Sequence, residues 1–389
     1  MAARQRHSWW GLAVVVAFAA ACSNSTGPQA HLASPQQLSS DLQAVSGVFQ
    51  STAFQGFGVI GTAPGSPATV TTPAGALLQA VPITAPRTSS QPYADAPRRL
   101  QALRLAASTL HSGISASVVP SSLLGTTWVW NTTAHTYEQD GTFTPAAPTD
   151  RVRIILYAFD PLTGGPAENP LTPVGFADLV DESTTTPAVD KLHVIVKDGT
   201  PASPGPITYA DYTVSGSVTG NPATAFTATA VGFVSDGTHT LNFSASFSAT
   251  NLTTDNPDAE FDATWDLDNP VVHVGLHETL ATSDANHVKL TIDLNVTSGA
   301  ETLAVTGSLT VVALSPTDFS VTADLTITVN GVPYARVTGT DSGVQLRHAD
   351  GSSLSAQEFQ AVSDLFDLPD QMEVGIDNLF GPCEHLMGA

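Results

Sequence analysis

The chain has 389 residues and carries 13 Lys plus Arg against 35 Asp plus Glu, a formal net charge of −22. Such a surface repels nucleic acid and anionic lipid headgroups, so binders of either are excluded. A hydrophobic fraction of 42% with 30 Gly and 27 Pro excludes a disordered chain and fits a folded, turn-rich β protein.

The chain opens on a positive start, Arg4 and Arg6, then an apolar run from Trp9 to Ala21, with Cys22 directly after Ala19, Ala20 and Ala21. A basic start, a short apolar stretch and small residues at its end make a secretory signal. The run falls short of the roughly 20 residues that span a bilayer. Its end resembles the lipobox of bacterial lipoprotein precursors, with Ala19 where leucine is usual. The resemblance covers the signal alone and no family is identified for the mature chain. It implies cleavage before Cys22 and acylation of that cysteine, each buried methylene contributing about 0.8 kcal/mol to membrane attachment. Loss of Arg4 and Arg6 takes the net charge from −22 to −24. With Cys22 acylated, Cys383 has no partner, so no internal disulfide forms and stability rests on the core. Ser23 and Asn24 after the cysteine point by analogy to the outer membrane.

Residues 22–33 are read as a lipidated tether. Ser34 to Phe49 is expected to be a helix, with Ser34 as cap, Pro35 at the first helical position, and Leu38, Leu42, Val45 and Phe49 on one stripe. Gly56 to Tyr93 is rich in Ala, Thr, Gly and Pro and reads as irregular. Asp95 to His111 follows as a second helix. Its basic group, Arg87, Arg98, Arg99 and Arg104, suits internal pairing with the chain's own carboxylates better than an acidic partner.

From Leu124 onward the pattern has period two. Thr127–Asn131 and His135–Glu138 read as a hairpin with Trp128, Trp130 and Tyr137. Strands follow at Arg151–Phe159, Val174–Val180 and Lys191–Lys197. Between Ile207 and Arg347 the alternation is long and regular. Phe243, Ala245, Phe247 and Ala249 oppose Ser244, Ser246 and Ser248. Phe261, Ala263, Trp265 and Leu267 oppose Glu260, Asp262, Thr264 and Asp266. Val288, Leu290, Ile292, Leu294 and Val296 repeat the scheme. One face is apolar and the other can meet water, which argues for an antiparallel sheet. Asn330-Gly331 is a strong two-residue hairpin signal, with Asp236-Gly237 and Ser298-Gly299 weaker ones. The fold expected is mainly β: a large curved antiparallel meander, as half-barrel, barrel or sandwich, covered by N- and C-terminal helices.

Ser355 with Glu358 three residues on reads as a capping box, with Phe359, Val362, Leu365 and Phe366 as the buried stripe of a C-terminal helix. Pro369 ends it, and Asp370 to Phe380 suggests a second, with Met372, Ile376 and Phe380 inward. The domains are therefore 1–21 signal peptide, 22–33 tether, 34–123 helical and irregular region, 124–351 antiparallel β domain, and 352–389 C-terminal helices packed on the sheet.

No constellation of residues predicts a reaction. His273 and His277 share a strand face but stand roughly 13 Å apart, too far for one zinc ion, so with Glu278 they read as polar residues on a solvated face. Asp255, Asp258, Glu260, Asp262, Asp266 and Asp268 lack the glycine-centred calcium loop and read as a solvated acidic face, with a weak calcium site as the lesser reading. Cys383, Glu384 and His385 lack a third member to orient the histidine. No cofactor and no metal is expected, and no catalysis. The expected function is a non-enzymatic envelope lipoprotein, a structural or protein-interaction subunit held at the outer membrane through Cys22. The alternative is a binder or carrier of an apolar ligand or lipid between sheet and helices, with Phe243, Phe247, Trp265 and Leu290 lining the cavity. A glycan-active hydrolase and a transmembrane barrel stand behind both.

Overall fold

In the computed structural model, the residues described are 30–50, 57, 118–160, 162, 163, 165–186, 188–220, 223–254, 256–284, 287–315 and 318–368. The signal and Cys22, the tether before Ala30, the basic helix at Asp95–His111, the helix at Asp370–Phe380 and the Cys383 group lie outside them. So does the stretch from Gly56 to Tyr93, apart from Phe57, which is buried.

Helix α1 (Pro35–Gly47) runs into a short 3-10 turn, Val48–Gln50. Pro35 stands at the start as its fixed φ favours, but the Ser34 side chain does not cap; only its carbonyl accepts the Leu38 N–H. Leu38, Leu42, Val45 and Phe49 are all buried, as the i, i+4 and i+3 spacing requires.

The strands are β1 (Thr127–Asn131), β2 (Thr136–Gln139), β3 (Arg151–Tyr157), β4 (Phe159–Asp160), β5 (Gly165–Pro166), β6 (Pro173–Asp181), β7 (Thr184–Thr185), β8 (Ala188–Thr200) and β9 (Ser203–Thr219). Then come β10 (Ala225–Ser235), β11 (Thr240–Thr250), β12 (Asp258–Leu267), β13 (Val272–Asp284), β14 (His287–Ser298), β15 (Glu301–Ser315), β16 (Asp318–Val329), β17 (Val332–Thr340) and β18 (Gln345–His348). One sheet holds almost all of them in the order β18 back to β8, then β6, β3, β1 and β2, with β7 beside β8 and with β4 and β5 pairing apart. From β8 to β18 every neighbour is the next strand in the chain and antiparallel. The expected meander is therefore present, and the sheet does not close into a barrel.

The meander fails at one place. β1 and β3 pair in parallel, Thr127 opposite Arg153 and Trp128 opposite Ile154, and β2 takes the outer edge. The β1–β2 hairpin formed as its aromatics suggest, Trp130 opposite Tyr137 with rings 5.5 Å apart edge to face. Because β2 pairs on one side of β1, only the other side is free for β3. The eleven-residue link from Asp140 to Asp150 is long enough for that return without a helix.

The hairpins follow from turn chemistry. Asn330 and Gly331 both take positive φ, 50° and 77°, which brings Val329 opposite Val332. Gly307 bends β15: its φ is +145°, and a Cβ there would meet the Asp324 carbonyl oxygen at 2.2 Å. With register shifts in the β13–β14, β15–β16 and β16–β17 pairs, such points supply the coiling a wide sheet needs. Fifteen flat strands would spread over roughly 70 Å. Yet one core cluster includes Val152 of β3, Leu294 of β14 and Val337 of β17, together with Leu42 of α1.

Helix α2, residues 356–368, joins the same cluster. Its capping box is present: Ser355 N–H donates to Glu358 Oε2 at 2.9 Å, and Glu358 N–H to Ser355 Oγ at 3.3 Å. Of the expected stripe, Val362 and Leu365 are buried and Phe366 packs half-buried on the core, but Phe359 is 55% exposed, and Ala361 and Leu368 complete the buried face. Positions 361, 365 and 368 keep the i, i+4, i+7 spacing, which leaves 359 on the far side. The two helices meet through Asp364, whose carboxylate accepts from Ser39 Oγ. α1 is tied to the sheet by the Asp41–Ser298 hydrogen bond, and the segment before it by Ala33 N–H on Glu301 Oε1 at 2.6 Å.

Candidate functional site

Two surfaces of the meander invite a function, the apolar inner face and the polar outer face. The inner face holds Phe243, Phe247, Trp265 and Leu290, all buried, on one side of the sheet. Their placement differs, however. Phe243 of β11 stands directly opposite Trp265 of β12, and the Tyr212 ring packs on Phe243 at 6.1 Å. Phe247 packs on Phe226 at 5.2 Å. Leu290 lies opposite Leu280, six positions along β14 from Val296, which shares the row of Trp265 through Val274. Six residues of strand are about 20 Å. The expected lining is thus spread along the strands: Phe243 and Trp265 share one row, while the row of Phe247 ends at Ile292, two positions from Leu290.

The inner face also carries carboxylates. Asp190 of β8 is in phase with Leu192, Val194 and Val196 and is 4% exposed. One of its carboxylate oxygens is buried with no hydrogen-bond partner. Burial, then the nearby Asp181, pushes its pKa up to about 6. Asp181 of β6 is opposite Leu192 and accepts N–H groups from Val119 at 3.1 Å and Ser183 at 2.9 Å. Glu278 of β13 lies between Phe261 and Ile292, half-buried on the inner side. The expectation that Glu278 sits on a solvated face is corrected: odd and even positions of β13 face opposite ways, and 278 is even with Val274, Leu276 and Leu280. For Glu278 the signal was legible in the alternation; Asp190 falls in phase because β8 starts at Ala188.

The outer face is built of hydroxyls, carboxylates and imidazoles. Hydroxyls pair across strands, Ser215 with Thr229 at 2.7 Å and Ser217 with Thr227 at 2.9 Å. Histidines sit beside carboxylates: His273 on Asp266, His287 on Asp284 and His239 on Asp236. His193 lies between Glu182 and Asp211 and uses a different nitrogen for each. Register places Asp262, His277 and Asp293 in one row across β12, β13 and β14. His277 Nδ1 lies 2.7 Å from Asp262 Oδ1 and 3.8 Å from Glu260 Oε1. Its pKa is raised, first by the hydrogen bond to Asp262 and then by the charges of Asp262, Glu260 and Asp293. His273, as expected, shares no such group with His277; the partner strand supplies the neighbours instead. Of the acidic stretch, Glu260 and Asp262 come together with His277, Asp266 goes with His273, Asp258 accepts from Asn251, and Asp255 lies outside the described residues.

A third cluster ties the last strands to α2. Tyr334 is buried, its ring 5.1 Å from that of His348, and His348 Nε2 lies 3.5 Å from Glu358 Oε2. Burial beside Glu358 raises the Tyr334 phenol well above its ordinary range. Glu358 is already held by the helix cap, so this group reads as a latch between sheet and helix.

No helix among the described residues is long and apolar enough to cross a membrane. Comparison with protein families, with curated proteins and with solved structures found no match for the chain.

Proposed function

We propose that this protein is an envelope lipoprotein, anchored through Cys22 and serving as a structural or protein-interaction subunit rather than as an enzyme. The observation that supports it most is the sidedness of the sheet. Its greasy face is turned inward against its own terminal helices, and a broad, regular face of Ser, Thr, Asp and His is left outward. A polar outer face can meet a protein partner, whereas a transmembrane barrel needs apolar residues outward. The anchor reading rests on the residues around Cys22 and on the acidic, lysine-poor composition, with the outer membrane, facing periplasm or exterior, as the proposed address.

The carrier reading has one observation in its favour, the aromatic group of Tyr212, Phe243 and Trp265 on an inner face covered by α1 and α2. Native mass spectrometry of the protein extracted from its own membrane distinguishes them. Acyl chains on Cys22 and a stoichiometric protein partner support the subunit. A stoichiometric apolar ligand would replace it with the carrier. An unmodified Cys22, with the protein in the soluble fraction, would remove the anchor.

A further inference from the structure

We propose that Glu260, Asp262 and His277 form a binding site for a divalent transition-metal ion of the zinc type, on the outer face of the β12–β13 pair. The inference is independent of the envelope reading and concerns only these strands.

The donors converge without a loop. Glu260 and Asp262 are two residues apart in β12 and so point the same way, and His277 is directly opposite Asp262 in β13. One donor atom from each of the three lies within 4.8 Å of the others. Ligands each about 2 Å from one ion stand roughly 3–4 Å apart, so small side-chain rotations close the site while the backbone stays put. One imidazole nitrogen with two carboxylates suits a borderline ion such as zinc. A site of oxygens alone would suit calcium or magnesium. The remaining positions on the ion would be filled by water.

An ordinary cross-strand ion pair is the competing account, and the molecule contains its own controls. His273 has one carboxylate, Asp266, and His193 splits its two between opposite nitrogens, with Glu182 also held by Lys191 at 2.6 Å. At His277 two carboxylates face the same nitrogen, Nδ1, and no lysine or arginine is paired with either of them among the described residues. A third carboxylate, Asp293, approaches from β14. The site therefore gathers negative charge around a nitrogen donor, which an ion of charge +2 relieves.

The ion takes the place of a proton. Nδ1 must be bare to bind it, so the proton that His277 shares with Asp262 leaves to solvent and the imidazole keeps its other N–H. Glu260, Asp262 and Asp293 all favour the protonated ring, so proton and metal compete and affinity rises with pH through the range where His277 titrates.

The test uses the untagged full-length protein, metal-stripped, with zinc chloride titrated calorimetrically at pH 6 and pH 8. The expected result is a saturable site that is tighter at pH 8. His277→Ala and the pair Glu260→Gln with Asp262→Asn should each weaken it at least about tenfold, and His273→Ala should leave it within about twofold. All of these side chains are about half exposed, so the variants fold, as circular dichroism would verify. Absorption bands of bound cobalt near those of a nitrogen–oxygen site, lost in His277→Ala, would support the ligand set. The proposal is overturned if no saturable zinc binding appears up to roughly millimolar concentration, or if His277→Ala binds as the wild type does.

Discussion

Arg153 joins β3 to Asp178 of β6, and His277 joins β13 to Asp262 of β12, two cross-strand pairs of a nitrogen side chain and a carboxylate in one sheet. The first is buried, with Arg153 Nε and one terminal guanidinium nitrogen each 2.7 Å from an Asp178 oxygen and the guanidinium 4.9 Å from the centre of the Phe176 ring. The second stands about half exposed. The difference lies in the strands. β14, beside the His277 strand, alternates exposed and buried from His287 to Val296, whereas in β3 every residue from Val152 to Tyr157 is buried. At that end of the sheet both faces are covered. Tyr137 of the edge hairpin donates to the Ile155 carbonyl at 3.0 Å, and Glu168 accepts from Trp130 at 2.7 Å. Charge there must be paired or it destabilises, while charge on the meander's outer face adds little to stability and is available for binding.

The contrast is broken most directly at Arg153. Arg153→Ala leaves Asp178 buried with its main partner gone, Arg151 alone remaining at 3.3 Å. A loss of about 3–5 kcal/mol is expected in denaturant unfolding. A loss under roughly 1 kcal/mol would show that this end is wetter than its burial implies. Next in size is Leu294→Ala on the inner face of β14, expected to cost about 2–5 kcal/mol. Thr291, which points outward on the same strand, changed to Ala, should stay within about 0.5 kcal/mol. Equal effects from the two would refute the sidedness on which the fold depends.

Asp190 is a buried carboxylate with one oxygen that has no hydrogen-bond partner. Its folded pKa, about 6, is above the ordinary carboxylate value, so the folded state holds the proton more tightly than the unfolded state. Stability is then greatest below the unfolded pKa and falls as pH rises through about 4 to 6, by roughly 2 kcal/mol. Asp190→Asn should remove that fall and raise the melting temperature at pH 7. A variant with the slope unchanged would place the titration elsewhere. A small effect is also expected from His273→Ala, which removes an exposed pair on the outer face, at less than about 1 kcal/mol and weaker still in high salt.

The parts of the molecule differ in how far they could be read in advance. Counting in twos puts Trp265 and Ile292 in the core, where they are buried, and the need for positive φ marks the Asn330-Gly331 turn. Glu278 obeys the same count, but its chemistry argues for the surface and hides where it points; Asp190 lies one residue before the expected strand Lys191–Lys197 and falls in phase because β8 starts at Ala188. The Ser355 and Glu358 box marked the start of α2, whereas Phe359 proved outward because the helix's rotation is set by what it packs on. The sequence singles out His277 on one expected strand and Glu260 and Asp262 on another. Their meeting with His277, fifteen positions after Asp262, required the β12–β13 register.

Local chemistry, then, settled which residues alternate, which face is greasy and where the chain turns back, because these depend on neighbours two or three positions apart. The partners across strands, the parallel return of β3 beside β1 and the union of α1 with α2 through Ser39 and Asp364 were decided only in three dimensions. They join residues far apart in the chain, and a pattern of period two is the same for every register that keeps the greasy face inward.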